Sequence, residues 1–348
     1  MSLISILKRK SKKTFFTTPS HNQKFCLYHK FYQWYKNDIS EVDDYNPQIA
    51  LEYAEKRASE IYKTKSTHFL TNGSTSGVIA SVLACCKPND TVLIWNNAHP
   101  CHKNACKLAG VNIIEYEQDY DSEWGVYKPL DSKRLLKLFE ENLPNAVIIT
   151  SPTYEGFVCD IATISEICKK NKVFLIVDEA HGALYPFSEK LPQSAIEFAD
   201  FTIQSLHKTA GGINPTALLH CNCECDVKRT LQMITTTSPS YPMLATIEAN
   251  ILFLNSKRGQ KYIENLISEL ESLKSNFKEL INQENDITKI LIKHPKYSGE
   301  EISEFLYKDC NIEDEKTNKI STLAICGIGT TSKNLCRLKN ALQKMQKI

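Results

Sequence analysis

Residues 173–182 read VFLIVDEAHG, an apolar, β-branched run that stops at an acidic pair. Such a run is typical of a buried strand in a parallel sheet. Similar runs predict strands at residues 91–94, 111–115, 146–150, 173–177, 201–204 and 216–220, and helical patterns lie between them at residues 77–86, 101–109, 132–142 and 161–171. This alternation predicts an α/β fold with a mostly parallel sheet, helices on both faces, and ligands bound beyond the carboxyl ends of the strands.

The pattern changes after Pro242, where strand signals become few. We predict helices at residues 244–255 and 261–282, a strand at 288–292, a helix opened by the capping-box spacing of Ser298 and Glu301, a strand at 321–326 and a last helix from Ser332. The chain thus divides into an N-terminal arm and helix at residues 1–65, a large domain at 66–255 and a small α+β domain at 256–348. We expect the amphipathic arm at residues 1–13 to lie on a partner subunit.

The composition is that of an ordinary globular protein. The 348 residues include 42 Lys and Arg and 40 Asp and Glu. With charges so nearly balanced, we expect no strong electrostatic attraction to nucleic acid or to a membrane. No apolar run approaches the ~18 residues that span a bilayer. The odd number of cysteines, 13, excludes complete pairing within the chain, and several lie in apolar runs. We therefore expect a reducing, cytoplasmic location.

Three cysteines, Cys221, Cys223 and Cys225, follow His220 at alternate positions and suggest a metal site. Structural zinc, however, usually takes cysteine pairs about two to four residues apart. Alternate spacing in a strand only places the thiols on one face. Because a second ligand pair of the expected spacing is missing, we expect no metal site.

Residues 72–77, NGSTSG, lead directly into an apolar helix. Backbone N–H groups at a helix N-terminus, with Ser and Thr hydroxyls, form a cradle for a phosphate dianion. The alternatives are plain helix capping and a nucleotide P-loop, but the P-loop's Lys after the second glycine is missing. Ser74, Thr75 and Ser76 are therefore candidate phosphate contacts.

Two further segments follow strands and carry groups that a phosphorylated pyridine aldehyde requires. Asp178 could pair with the pyridine nitrogen and keep it protonated. Its segment, DEAH, also occurs in helicases, but no phosphate loop with a Lys accompanies it here. In QSLHKT at residues 204–209, burial would lower the pKa of the Lys208 amine and ready it to form an imine, while Ser205 and His207 could contact the phosphate. A surface lysine is the alternative for Lys208.

A histidine ring stacked on the pyridine would fix its position. The segment NNAHPCH at residues 96–102 offers His99 and His102. Either could also be a loop residue that binds nothing. The spacing to Ala109-Gly110 favours His99.

In this order, the segments resemble the major domain of the ornithine/lysine/arginine decarboxylase family, a branch of the fold-type I pyridoxal phosphate enzymes. The matching stretches are residues 18–23 (TPSHNQ), 72–77, 150–154 (TSPTY), 178–183 (DEAHGA), 207–209 (HKT) and 236–241 (TTSPSY), with Asp43-Asp44 upstream and similarity from Tyr297 to Leu342 downstream. The resemblance implies pyridoxal 5′-phosphate as cofactor and a homodimer whose active sites are shared between the subunits.

The resemblance also implies roles for individual residues. Lys208 would form the imine with the cofactor, Asp178 would pair with the ring nitrogen, and His181 would lie by the ring as a catalytic acid. His99 would stack on the ring. The other implied cofactor-binding residues are Ser74, Thr75, Ser76, Thr153, Ser205 and His207, with Thr237 and Ser238 reaching across from the second subunit.

The chemistry implied is amino-acid decarboxylation, with a basic amino acid as the first substrate to test. The cofactor also permits other reactions, so an aminotransferase or lyase acting on another amino acid is the alternative, and a catalytically silent paralogue that regulates a decarboxylase is a third reading. Two departures put substrate specificity in question. We expect the family's further C-terminal domain to be absent, and Pro19-Ser20-His21-Asn22 stands where the family has Pro-Gly-His-Lys.

Overall fold

A seven-stranded sheet forms the centre of the protein, whose computed structural model describes residues 2–10, 12, 37–39 and 47–347. The strands of this sheet and of a separate hairpin, β4-β5, are β1 (Ser66–Leu70), β2 (Thr91–Trp95), β3 (Asn112–Tyr116), β4 (Tyr120–Asp121), β5 (Val126–Tyr127), β6 (Ala146–Thr150), β7 (Phe174–Asp178), β8 (Phe201–Ser205) and β9 (Ala217–Cys221). The family-like segments at residues 18–23 and Asp43-Asp44 lie outside the described residues.

The strand order of the large sheet is β1-β9-β8-β7-β6-β2-β3. The strands from β8 to β3 are parallel, and β9 is antiparallel to both of its neighbours, β8 and β1. Because β9 is antiparallel to both β8 and β1, β1 points in the same direction as the parallel strands. We did not predict β1, because its sequence, STHFL, is mostly polar at the start. The carboxyl ends of β1, β2, β6, β7 and β8 therefore meet at one edge.

Helices cover both faces of this sheet, which confirms the predicted fold class. They are α1 (Leu3–Lys10), α2 (Pro47–Tyr62), α3 (Gly73–Cys85), α4 (Pro100–Ala109), α5 (Ser132–Glu141), α6 (Ile161–Asn171), α7 (Leu206–Thr209), α8 (Val227–Ile234) and α9 (Tyr241–Leu254). One core packs α3 and α4 on the sheet through Val78 and Ala105, and another packs α5 and α6 on the opposite face through Leu135 and Ile164. The sequence pattern did not predict α8.

The N-terminal helix α1 packs on its own chain, which corrects the expectation that the arm lies on a partner subunit. Leu3 and Leu7 are buried in a core that α1 shares with α2 and α9. The carboxylate of Glu248, in α9, accepts a hydrogen bond from the backbone N–H of Leu3 at 2.6 Å and pairs with Arg57 of α2. The helix is amphipathic as predicted, and α2 and α9 of the same chain cover the apolar side of α1.

A second sheet follows α9, as the change of pattern after Pro242 predicted. Its elements are α10 (Lys257–Asn276), β10 (Lys289–Lys293), α11 (Gly299–Cys310), β11 (Lys316–Thr317), β12 (Ser321–Ile325) and α12 (Ser332–Met345), with the antiparallel order β10-β12-β11. Ser256 caps α10 before the predicted start by accepting a hydrogen bond from the Gly259 N–H. Ile263 of α10 packs in the same core as α9, whereas Leu270 of α10 packs in the core of the second sheet. Because α10 belongs to both cores, the predicted domain boundary at residue 255 stays a prediction.

Among the described helices, none combines the length and the apolar character that crossing a bilayer requires.

Replacing Glu248 with alanine is expected to lower the free energy of unfolding by roughly 2 kcal/mol, because the buried Leu3 N–H and the Arg57 guanidinium lose their acceptor. Glu52→Ala is the matched control: it removes an exposed ion pair with Lys228 and should cost less than about 1 kcal/mol. Urea unfolding followed by far-ultraviolet circular dichroism measures both values. Equal losses in the two variants would contradict the role given to Glu248.

Candidate active site

A cavity of about 890 Å³ lies at the edge where the five strands end. This volume is in the range of small-molecule sites. Because these strands run in one direction, the segments that follow them contribute to one cavity wall. The predicted site residues that line it are Ser74, Thr75, His99, Asp178, His181, Ser205, His207 and Lys208.

Lys208 lies in α7, the single helical turn that follows β8. Its Nζ is 2.9 Å from Nε2 of His181, which follows β7. Burial lowers the pKa of Lys208, and the charge of Asp178 offsets only part of this effect. Burial and the nearby charge of Lys208 also hold the pKa of His181 well below its ordinary value. The lowered pKa favours the uncharged ring, whose Nε2 can accept a hydrogen bond from Nζ.

Asp178 ends β7 and is buried at the floor of the cavity. Its Oδ2 lies 2.9 Å from Nε2 of His102, and its Oδ1 accepts a hydrogen bond from the Ala180 N–H at 3.2 Å. Burial by itself would raise the pKa of Asp178, but the hydrogen bond and charge of His102, together with the charge of Lys208, lower it overall. Asp178 is thus held as a carboxylate.

The two candidate histidines have different positions. His99 lines the cavity at the N-terminus of α4, where its Nδ1 accepts a hydrogen bond from the Cys101 N–H at 3.3 Å. His102 lies one turn further along α4, has no exposed surface and contacts Asp178. The sequence reading therefore missed the part played by His102. A signal was present, since a polar ring on the apolar face of a helix needs a buried partner.

A candidate phosphate cradle lies where β1 leads into α3. Asn72, Gly73, Ser74 and Thr75 line the cavity there, and the side chain of Asn72 makes no capping hydrogen bond to the helix. Ser205 faces the cavity from the end of β8, and within the described part of the chain its buried Oγ has no hydrogen-bond partner. Free N–H groups at a helix start, beside a buried hydroxyl, suit an anion.

The close approach of α3 to the sheet depends on Gly77. A Cβ at this position would lie 2.9 Å from side-chain atoms of both Ile203 in β8 and Leu70 in β1. A larger residue would push the helix away from the strands that carry the other site residues. The last glycine of the NGSTSG segment therefore positions the cradle.

Four predicted cofactor-binding residues do not line the cavity. The Oγ of Ser76 donates to the Gly73 carbonyl at 2.8 Å, and Oγ1 of Thr153 accepts from the Phe157 N–H at 3.1 Å. Thr237 and Ser238 lie in an exposed turn before α9. Within this chain, Ser76 and Thr153 shape the backbone near the cavity, and the other two are on its outside.

The cavity wall also contains side chains to which the sequence analysis gave no role. The ring of Tyr154, after β6, packs 4.5 Å from the ring of His181, and Nζ of Lys208 is 5.8 Å from the Tyr154 ring centre. Lys316 of β11 pairs with Glu155 at 2.9 Å. The second sheet thus contributes to the site, although no pattern in the sequence links residues 154 and 316.

The cysteines that suggested a metal site are free thiols. Cys221 and Cys223 have their Sγ atoms 3.6 Å apart. In the described residues, the ligand atoms of at least three His, Cys, Asp or Glu side chains come close enough to share an ion only at Cys101, His102 and Asp178. There the hydrogen bond between His102 and Asp178 already accounts for the contact.

Comparison with known proteins identifies relatives along most of the chain. The protein YaaO of Bacillus subtilis, itself uncharacterized, is 30% identical over 271 residues, which cover 74% of this chain and 56% of YaaO. An arginine decarboxylase of Bacillus anthracis is 26% identical over 334 residues, which cover 89% of this chain and 68% of that protein.

Solved structures share the fold. The lysine decarboxylase of Francisella novicida superposes with a TM-score of 0.84 at 18% identity, covering 99% of this chain and 60% of that protein. Aminotransferases of fold type I are further structural neighbours. The chain thus spans little more than half of the length of several proteins that it matches.

The family model for the major domain of Orn/Lys/Arg decarboxylases matches residues 9–300, which is most of the chain. This match covers the segments after β1, β2, β6, β7 and β8 that form the cavity. The chain therefore belongs to the Orn/Lys/Arg decarboxylase family.

Proposed function

We propose that this protein binds pyridoxal 5′-phosphate and decarboxylates a basic amino acid to an amine and carbon dioxide. The observation that carries the proposal is that Lys208, Asp178 and the N-terminus of α3 face one cavity. An amine that can form an imine, a carboxylate and a phosphate cradle are the three groups that this cofactor needs. Family membership supports the reaction class, and the arginine decarboxylases among the relatives support a basic substrate.

The cavity fits the cofactor at three separate points. Ser74, Thr75 and the unpartnered Ser205 hydroxyl would hold the phosphate. Asp178 would pair with the ring nitrogen, and Lys208 would hold the aldehyde carbon. When bound, the cofactor supplies a protonated pyridine ring that accepts the electron pair left at Cα when carbon dioxide departs.

Asp178 and His102 control the charge at the floor of the site. A carboxylate with a lowered pKa stays charged at neutral pH and so favours a protonated ring nitrogen opposite it. His102 holds this carboxylate in one orientation through the 2.9 Å contact. His102 is therefore a positioning residue that acts through Asp178.

Lys208 would transfer the protons of the reaction, and His181 would orient its amine. Because burial lowers the pKa of Lys208, more of its amine is uncharged than for an exposed lysine, and only the uncharged amine is a nucleophile. The His181 ring, 2.9 Å from Nζ, can accept a hydrogen bond from this amine and so orient it. Lys208, oriented by His181, would then protonate Cα to give the product amine.

A second copy of the chain would complete the site. Thr237 and Ser238 lie in an exposed turn outside the cavity of their own chain, and we propose that they contact the phosphate in a homodimer. We also propose a cytoplasmic location, since thiols such as Cys101 and Cys106 are free in the structure.

Lys208→Ala is expected to abolish covalent retention of pyridoxal phosphate and to lower the rate of carbon dioxide release by roughly a thousandfold or more, because the amine that holds the aldehyde and moves the proton is lost. Mass spectrometry after borohydride reduction and denaturation measures the retention, and release from labelled arginine, lysine and ornithine measures turnover. Lys170→Ala, at an exposed helical position, is the matched control and should leave both unchanged.

Three outcomes would contradict the proposal. Covalent retention of the cofactor by Lys208→Ala would show that Lys208 does not form the imine. Keto-acid formation by the wild type without carbon dioxide release would indicate an aminotransferase. Cofactor retention without turnover of any amino acid in the panel would indicate a silent relative.

Replacing His102 should shift the pH profile. Because the pKa of Asp178 is lowered, its carboxylate stays charged until the pH falls below that pKa. In His102→Leu the raising effect of burial is opposed only by the charge of Lys208 and the Ala180 N–H, so the pKa of Asp178 rises. The acid limb of kcat/KM should therefore move to higher pH. His102→Gln keeps an N–H donor and should move it less. An acid limb that is the same in both variants and the wild type would show that His102 does not act through Asp178.

A further inference from the structure

We propose that Glu155 and the ring of Tyr154 bind the distal cationic group of the substrate, and that Lys316 occupies this cation seat until the substrate displaces it. The cation seat is defined as the Glu155 carboxylate and the face of Tyr154, both in the cavity wall. The inference rests on the proposed function and deepens it, because it names the residues that select a basic amino acid.

Glu155 is a carboxylate that needs a cation. Its side chain is only 11% exposed, and its Oε1 lies 2.9 Å from Nζ of Lys316. The backbone at this turn is fixed, since the Glu155 carbonyl accepts a hydrogen bond from Nδ2 of Asn285 at 2.7 Å. Gly156, which follows, has a φ of +95° that few other residues adopt. A fixed, largely desolvated carboxylate is stable only with a positive partner.

The Tyr154 ring provides the second side of the cation seat. Nζ of Lys316 is 4.6 Å from the ring centre, a separation at which an ammonium or guanidinium group is attracted to the ring face. The Tyr154 hydroxyl donates a hydrogen bond to Oε1 of Glu315 at 2.5 Å, which fixes the orientation of the ring. The observed position of the Lys316 ammonium therefore shows where a cation binds.

The cation seat is correctly placed for a substrate side chain. Lys208 and Lys316 both approach the Tyr154 ring, with Nζ atoms 5.8 Å and 4.6 Å from its centre. A substrate whose α-amine replaces the amine of Lys208 would have its side chain run along this ring. The distal amine or guanidinium would then reach Glu155.

Lys316 can leave the cation seat at little cost. Its side chain is 50% exposed and projects from β11, a strand of two residues at the edge of the second sheet. By contrast, Lys289 is fully buried, together with its partner Asp286, and donates to the His181 carbonyl at 3.3 Å. An exposed lysine returns to water without losing much free energy, whereas a buried one does not.

The alternative is that Lys316 binds the α-carboxylate of the substrate. For an amine without a carboxylate, removing a competing cation strengthens binding, whereas removing a group that binds the carboxylate has no effect. Such amines therefore separate the two possibilities. Agmatine and cadaverine have a distal cation, and n-pentylamine has the cadaverine chain without it.

Calorimetric titration of the cofactor-loaded protein with these three amines tests the proposal. Lys316→Met should tighten agmatine and cadaverine binding by roughly 3- to 10-fold, the effect of freeing one ion pair and ring contact. Glu155→Gln should weaken both by a similar factor and leave n-pentylamine unchanged. Lys293→Met is the matched control, since Lys293 also pairs with a carboxylate, that of Glu123, and lies 4.3 Å from the centre of the Trp124 ring, outside the cavity wall.

Weaker or unchanged agmatine binding by Lys316→Met would overturn the proposal, and this surface variant does not depend on the folding of Glu155→Gln. Binding needs no turnover, so the outcome is separate from that of the proposed function. If the variants change amine binding as expected but no carbon dioxide is released, the cation seat stands and the decarboxylase does not. If carbon dioxide is released and Lys316→Met binds agmatine like the wild type, the decarboxylase stands and the cation seat does not.

Discussion

The direction of one strand, β9, brings the cavity together. β9 is antiparallel to both β8 and β1, so β1 and β8 point in the same direction. The N-terminus of α3, which follows β1, therefore lies at the same edge of the sheet as Lys208, which follows β8. These two parts of the site are far apart in sequence, and no local interaction could bring them together. The register of β1 on β9, from Ser66 opposite Cys221 to Leu70 opposite Ala217, then sets how far the cradle lies from the lysine.

Burial then gives the site its chemistry. Lys208, Asp178 and His181 line one cavity, and His102 is buried against Asp178; each of these polar groups would be costly to bury alone. Burial lowers the pKa of Lys208 and His181, while His102 and Lys208 prevent burial from raising that of Asp178. The same sheet edge therefore contains an amine with a lowered pKa beside a carboxylate with a lowered pKa. In an exposed loop these residues would have their ordinary properties.

Much of the fold and part of the site could be predicted from the sequence, for identifiable reasons. The apolar runs that became β2, β6, β7 and β8 lie within one buried sheet, so each predicted the position of the residues that follow it. β1 was missed because an edge strand with a polar first half has little pattern. Tyr154, Glu155 and Lys316 could not be assigned roles, since their contacts join segments that are distant in sequence. The position of His102 on an apolar helix face indicated a buried partner, but not that the partner is Asp178.

The central claim is that Lys208 and Asp178 hold the two ends of one pyridine ring. A crystal structure of the protein purified with pyridoxal phosphate tests it most directly. The account predicts continuous electron density between Nζ of Lys208 and the cofactor, with the ring nitrogen at about hydrogen-bond distance, roughly 2.7–3.0 Å, from the Asp178 carboxylate. A cofactor bound elsewhere, or a Lys208 side chain directed away from Asp178 into solvent, would contradict it.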